Sequence, residues 1–413
     1  MRATRSVALS LLLVFALLVA AVPAVRPVAA DDSSPGTAHT VSPSQNTTSF
    51  LAIEASETER DQYGSTSIDV AGAVAVDTEK LHGRYNELSL RTGFIANDDS
   101  ERRIELLRSE ASRIERRTDA LEERQRRALR QYNEGTISTH RFLRELARID
   151  AAARALDTQL VTVRRDLEPA GTFSLPNRLR SRYDNLQADL VTLEGPVRRQ
   201  LAASLATKES TRVLVLTSED AIVLSQTTTN RYVREAYLGD EREPGGVDQF
   251  GASDRPRISV AYQRAAELYP WAFDVENALA PPSATGFGNT SVYRISVDHS
   301  QGDLTTYLDG STQNAFREIQ SKRLRSIPTS RVSNNTVPLT LRVNHTHATG
   351  PMQVTLIRNA GDEPIDGTVR VNGDRVGRTG SDGTLWTVTP NSYTVVNVTT
   401  AAGESVQVSF SPN

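Results

Sequence analysis

The residues best placed to do chemistry near neutral pH are the histidines, of which the chain has six: His39, His82, His140, His299, His345 and His347. His345 and His347 stand two apart in "VPLTLRVNHTH", the alternation that puts two rings on one face of a strand, as two metal ligands require. No neighbouring cysteine or acidic cluster supplies a third ligand, so the pattern reads as strand-edge histidines rather than a metal site. Asp298, His299 and Ser300 set the three residue types of a hydrolase side by side. A working triad draws them from separate elements around an oxyanion hole, so their adjacency carries no catalytic meaning. Asp98 and Asp99 precede a long periodic run and favour a helix N-terminus through its dipole more than an acid/base dyad. Trp271 and Trp386 read as core residues. No nucleophile elbow, phosphate loop, dinucleotide fingerprint or zinc-protease motif occurs. The chemistry-bearing residues therefore predict no catalytic, metal or cofactor site and no evident small-molecule substrate: a protein that is not an enzyme.

Asparagines carry the remaining chemical signal. Asn-x-Ser/Thr sequons at Asn46, Asn289, Asn334, Asn344 and Asn397 are candidate N-glycosylation sites. They agree with the N-terminus, where Arg2 and Arg5 precede the apolar run Val7–Val22 and "RPVAA" offers small residues for cleavage after Ala30. The reading is a Sec-type signal peptide over 1–30 and an extracellular or cell-surface protein, with an uncleaved N-terminal membrane anchor as the alternative. Loss of Arg2, Arg5 and Arg26 with that peptide would take the formal charge from −3 to −6, which gives no reason to expect nucleic acid as a partner. Cysteine is absent, and lysine occurs only at 80, 208 and 322 against 44 arginines, a bias that suggests a halophilic archaeon.

The elements that would position these residues fall into several parts, giving a multidomain α+β class. Residues 31–48, rich in Ser, Thr, Pro and Gly, read as a flexible leader, and 49–100 as strand or small-residue helix. Over 101–206 a 3-4 repeat predicts a long antiparallel α-helical hairpin or coiled-coil region. Its first stripe is Ile104, Leu107, Ala111, Ile114, Thr118, Leu121, Gln125, Ala128 and Tyr132. Its second is Phe142, Leu146, Ile149, Ala153, Leu156, Leu160, Val163 and Leu167, with Gly135 and Ser138 ending one helix and capping the next. The arginines of the first helix are interleaved with acids, so they form a solvated face rather than a nucleic-acid patch. Residues 207–330 read as a small mixed α+β domain and 337–413 as a β-sandwich, with a tight hairpin at Asn372-Gly373.

Helix, hairpin and "YLDGST" over roughly 255–320, with Tyr307 before Asp309, resemble a PepSY-type module. Pro364, Gly367, Thr379, Asp382, Gly383, Pro390 and Tyr393 resemble the prealbumin-like, carboxypeptidase-regulatory-type repeat, which implies a non-catalytic accessory sandwich. The whole layout resembles uncharacterised secreted proteins of haloarchaea. Two functions follow as expectations. One is a secreted or cell-envelope structural or interaction protein that docks a protein partner, or itself, through the helical hairpin. The other is an extracellular peptidase inhibitor or regulator acting through the PepSY-like middle.

Overall fold

The computed structural model describes residues 41–167, 173–208, 210–252 and 254–412. The expected signal peptide, and the leader as far as residue 40, lie outside them. The described chain begins with short strands β1 (Val41–Ser42) and β2 (Phe50–Leu51), which pair with each other, and then β3 (Arg60–Thr66). Five helices follow: α1 (Val70–Ile95), α2 (Ser100–Asn133), α3 (Thr139–Thr162), α4 (Asn177–Leu190) and α5 (Pro196–Ser204). Strands β4 (Thr211–Thr217), β5 (Ala221–Thr227) and β6 (Arg231–Leu238) lead to α6 (Arg257–Leu268) and the single turn α7 (Pro270–Phe273). Next come β7 (Ser283–Gly286), β8 (Val292–His299), β9 (Gly302–Asp309) and β10 (Ala315–Arg323). The C-terminal strands are β11 (Ser330–Thr336), β12 (Leu339–His345), β13 (Pro351–Arg358), β14 (Glu363–Pro364), β15 (Gly367–Val371), β16 (Asp374–Arg378), β17 (Thr384–Val388), β18 (Thr394–Thr400) and β19 (Ser405–Phe410).

An eight-stranded antiparallel sheet ordered β3-β4-β5-β6-β10-β9-β8-β7 organises the body. Strand period two sorts its side chains. Val213, Val215, Ile222 and Leu224 pack with α1, α2, α3 and α5 on one face. Leu216, Ala221, Val223 and Ala236 pack on the other with α6, α7 and the β1–β2 segment. Residues 41–48 are therefore no loose leader at their C-terminal end, because Thr47 and Thr48 are buried beneath that second face.

Local chemistry explains the helices. Asp69 caps α1 by accepting from Gly72 N at 2.9 Å, Asp99 caps α2 from Glu101 N at 2.9 Å, and Ser138 caps α3 from Arg141 N at 3.3 Å. Gly135, at φ +75°, takes the left-handed turn between α2 and α3. The apolar stripes meet as their spacing predicts: Leu107, Ala111, Ile114 and Leu121 share a core with Ile149, Ala153, Leu156 and Leu160. The polar stripe residues have defined partners. Thr118 Oγ1 donates to Ile114 O at 3.1 Å, and Gln125 Oε1 accepts from the buried Arg198 at 2.6 Å. Helix α3 is covered on several sides by α1, α5 and β3, so α2 and α3 belong to the body.

Helix α1, left between strand and helix by the sequence, is held by small residues and a shared acid. A Cβ on Gly83 would come within 2.4 Å of Ala155 Cβ on α3. Glu79 accepts from Arg117 at 2.8 Å and Arg148 at 3.3 Å, bridging α1 to both α2 and α3. At the C-terminus, the sheets β11-β12-β13-β14 (with β17 beside β13) and β16-β15-β18-β19 enclose one core of Leu341, Val343, Val354, Val369, Val396 and Val398. Its first strand begins at Ser330, upstream of the expected 337. Gly83→Val should overpack the α1–α3 contact and lower stability by about 1–3 kcal/mol, measured by denaturant unfolding.

Candidate functional site

A dense set of buried polar groups lies where residues 46–51 meet β8, the β8–β9 turn, β10 and β6. Asn46 sits at φ +55°, in the left-handed region, and is exposed; Thr47, Thr48, Ser49, Phe50 and Leu51 are buried. Thr47 Oγ1 donates to Gln301 Oε1 at 2.5 Å and accepts from Lys322 Nζ at 3.0 Å. The amide nitrogen of the same Gln301 donates to Asn46 O at 2.8 Å. Thr48 Oγ1 lies 3.2 Å from His299 Nε2, and Gln320 Nε2 donates to Ser49 O at 2.7 Å. Leu51 N donates to Glu318 Oε2 at 2.8 Å, while Arg234 donates to Leu51 O. Six polar groups of this peptide, Asn46 O, Thr47 Oγ1, Thr48 Oγ1, Ser49 O, Leu51 N and Leu51 O, are each met by a side chain of the sheet or its β8–β9 turn.

Arg234 and Glu318, both fully buried, form an ion pair at 2.7 Å on neighbouring strands β6 and β10. Tyr269 at the end of α6 donates its hydroxyl to Glu318 Oε2 at 2.9 Å. The site also takes in the sandwich. Arg234 Nε donates to Thr349 Oγ1 at 3.1 Å, Tyr232 donates to Thr349 O at 2.7 Å, and the His347 ring stacks on Phe50 at 4.0 Å.

Burial sets the charge states. It pushes the Lys322 amine down to about 7, with Glu318 opposing and Arg234 adding to the shift. It pushes His299 down to about 4, helped by Lys322 and Arg323, and holds His347 well below its ordinary value. Near neutral pH both imidazoles are uncharged and Lys322 is poised between amine and ammonium. The arrangement places a hydroxyl between an amide and a titratable amine, next to a carbonyl gripped by that same amide.

The sequence candidates are placed differently. His345 stacks on Phe410 and His347 on Phe50, so each buried ring packs on its own aromatic partner. Among the described residues no cluster of three or more His, Asp and Glu could hold a metal ion. His299 is buried while Asp298 and Ser300 are exposed, as strand alternation dictates. Asp99 is a helix cap, and Trp271 and Trp386 are half-buried against apolar clusters. Of the sequon asparagines, Asn46, Asn289 and Asn334 are exposed. Asn344 and Asn397 are half-buried with their amides bonded to Gln353 and Ser405. Thr47, Gln301, Lys322, Arg234 and Glu318 had no local signal beyond the scarcity of lysine.

A second polar cleft, about 250 Å³, is lined by Asp157, Glu194, Arg154, Arg199, Arg294 and Arg317 among others. Glu194 Oε1 is buried and accepts no hydrogen bond. Burial, reinforced by Asp157 and opposed by Arg154, pushes its carboxyl up to about 7. The folded value exceeds the unfolded one, so ionisation costs stability in full above pH 7 and nothing below the ordinary carboxyl range. Glu194→Gln should accordingly raise Tm at about pH 8.5 and leave it unchanged near pH 4. For the first site, Arg234→Met strands the Glu318 carboxylate and should cost about 3–5 kcal/mol in urea unfolding. Arg234→Met combined with Glu318→Gln should cost less than the single change.

Among the described residues no helix is long and apolar enough to cross a membrane. Residues 213–328 match a family described as "Family of unknown function (DUF7094)", rather than PepSY. Residues 330–408 match the "Archaeal fibronectin-III type-like domain", an archaeal β-sandwich in place of the carboxypeptidase-regulatory type. The two sandwich types share short alternating strands joined by Gly and Asp turns, so turn residues alone do not separate them. No curated protein and no solved structure matches the chain. The first 210 residues match the model described as "Domain of unknown function (DUF7096)", half of the chain, and the protein belongs to that family.

Proposed function

We propose that this protein is an exported, cell-envelope interaction protein that self-associates through the outer face of α1. The observation that carries this reading is an apolar stripe on which none of the described residues packs. Val74, Leu81, Leu88 and Ile95 recur every seven residues, and Val70 and Tyr85 flank them. All six are exposed, from 59% at Val74 to 71% at Tyr85 and Ile95. Single exposed apolar residues are ordinary, whereas a contiguous row along a 26-residue helix marks an interaction surface.

A strict seven-residue spacing suits a helix of the same pitch lying alongside. A second copy of α1 running antiparallel pairs Leu81 with Leu88 and Val74 with Ile95. That register brings each Asp77 within a turn of the partner's Arg91, two opposite-charge contacts set against the single like-charge approach of the two Arg84 residues beside Tyr85 at the two-fold axis. The stripes of α2 and α3 are consumed in the body's own core, which leaves α1 as the docking element rather than the expected hairpin. The archaeal sandwich fits an accessory module, and the apolar N-terminal run and the sequons fit export.

Light scattering at high salt tests the reading. The intact chain should be dimeric at micromolar concentration, and Leu81→Glu with Leu88→Glu should be monomeric. Because both leucines are exposed, unfolding free energy should change by only about 0.5 kcal/mol or less per site. A monomeric wild-type chain would overturn the proposal.

A further inference from the structure

We infer that the chain cuts its own Asn46–Thr47 peptide bond through an N→O acyl shift, with Thr47 as the nucleophile. The assisting groups are already in place. Thr47 Oγ1 and Asn46 O, the nucleophile and the carbonyl oxygen of that bond, are held by the two ends of one Gln301 amide, at 2.5 and 2.8 Å. Gln301 Nε2 thus stands where charge develops on the carbonyl oxygen. Lys322 Nζ, which donates to Thr47 Oγ1 at 3.0 Å, becomes the base in its neutral form, once the Thr47 hydroxyl turns its proton from Gln301 Oε1 toward the amine. Asn46 stores backbone strain at φ +55° on the acyl side of the bond.

The identity of the base is the strongest sign. The chain uses arginine 44 times and lysine three times, yet a lysine is buried at this one point. A guanidinium stays protonated and takes no proton; an amine pushed down to about 7 by burial does. The charged and titratable groups around it are Glu318 and His299, Arg234 on β6, Arg323, and His347 from the sandwich. Mere cementing of the segment is already supplied by Arg234, Glu318 and Gln320.

The step balances without any cofactor. Thr47 Oγ1 attacks the Asn46 carbonyl carbon while its proton passes to Lys322 Nζ. The resulting oxyanion is held by Gln301 Nε2. Collapse breaks the Asn46 C–Thr47 N bond, and the departing nitrogen takes the proton back from Lys322. The product is an ester between the Asn46 carboxyl and Thr47 Oγ1. Asn46 is exposed, so water reaches the ester carbonyl; hydrolysis leaves a carboxylate on Asn46 and a free amine and hydroxyl on Thr47. The body is then a chain beginning at Thr47, parted from everything upstream.

Cell-free synthesis of the full chain from purified components, free of proteases, tests this by intact mass. The wild type and Thr47→Ser should each yield a fragment beginning at residue 47, and Thr47→Ala should stay whole. Lys322→Met should cut at least about 100-fold more slowly. Hydroxylamine, which opens esters but not amides, should accelerate release from the wild type and leave a hydroxamate on Asn46. Resistance of each body to trypsin certifies folding. A trypsin-resistant wild-type chain that stays whole in hydroxylamine overturns the inference. So does a fragment beginning at any other residue, or a Thr47→Ala chain that cuts at the wild-type rate.

Discussion

Taking Arg234 and Glu318 out of water costs several kcal/mol for each charge, and nothing else in the fold would tolerate leaving either one unpaired. Their mutual contact meets only part of that cost. The rest is met by groups from four separate places: the Leu51 backbone, the Tyr269 hydroxyl, Thr349 in the sandwich, and the register of β6 against β10. The N-terminal segment, the sheet, the α6 cap and the C-terminal module are therefore committed to one arrangement. Hydrophobic contacts around the pair are less particular about direction, so the ion pair is what fixes which residue of 46–51 lies over which strand.

Around that fixed point the two faces of the eight-stranded sheet do different work. The helical face joins an apolar contact, in which α3 is enclosed and α1 is drawn close by Gly83 and Glu79, to a buried ion pair of its own between Arg198 and Glu235 at 3.0 Å. The opposite face holds the Arg234–Glu318 pair and is where the sandwich attaches, through Tyr63 to the Val388 carbonyl and Thr227 to the Trp386 carbonyl. Closing α1 tightly on one side leaves the apolar row on its other side exposed, and the proposed self-association rests on that contrast.

The sequence made the long helices and the sandwich legible because their signals are local. A 3-4 apolar period with Ser138 and Gly135 at its break, or Asn372-Gly373 between alternating strands, needs no knowledge of the rest of the chain. Strands β6 and β10 were opaque for the opposite reason. "RYVREAYL" and "AFREIQSKR" carry charged residues at fully buried positions, Arg234, Arg317, Glu318 and Lys322, which inverts the pattern by which a strand is recognised. Helix α1 was ambiguous because alanine and glycine serve close packing there rather than a broad apolar face. The polar site was invisible altogether: its partners lie more than 250 residues apart, and each has an ordinary neighbourhood.

That separation governs how the protein comes off the ribosome. Strand β3 waits for β4, about 150 residues later, and Phe50 waits for His347, the better part of the chain later. Both family regions before the sandwich share this one sheet, so a truncated product keeps an open sheet edge and unmatched charges. Segment 46–51 is made early and satisfied late, because its partners Gln301, Glu318 and Lys322 come more than 250 residues after it and His347 later still. Seating of that segment thus reports on the folding of strands about 250 to 300 residues downstream.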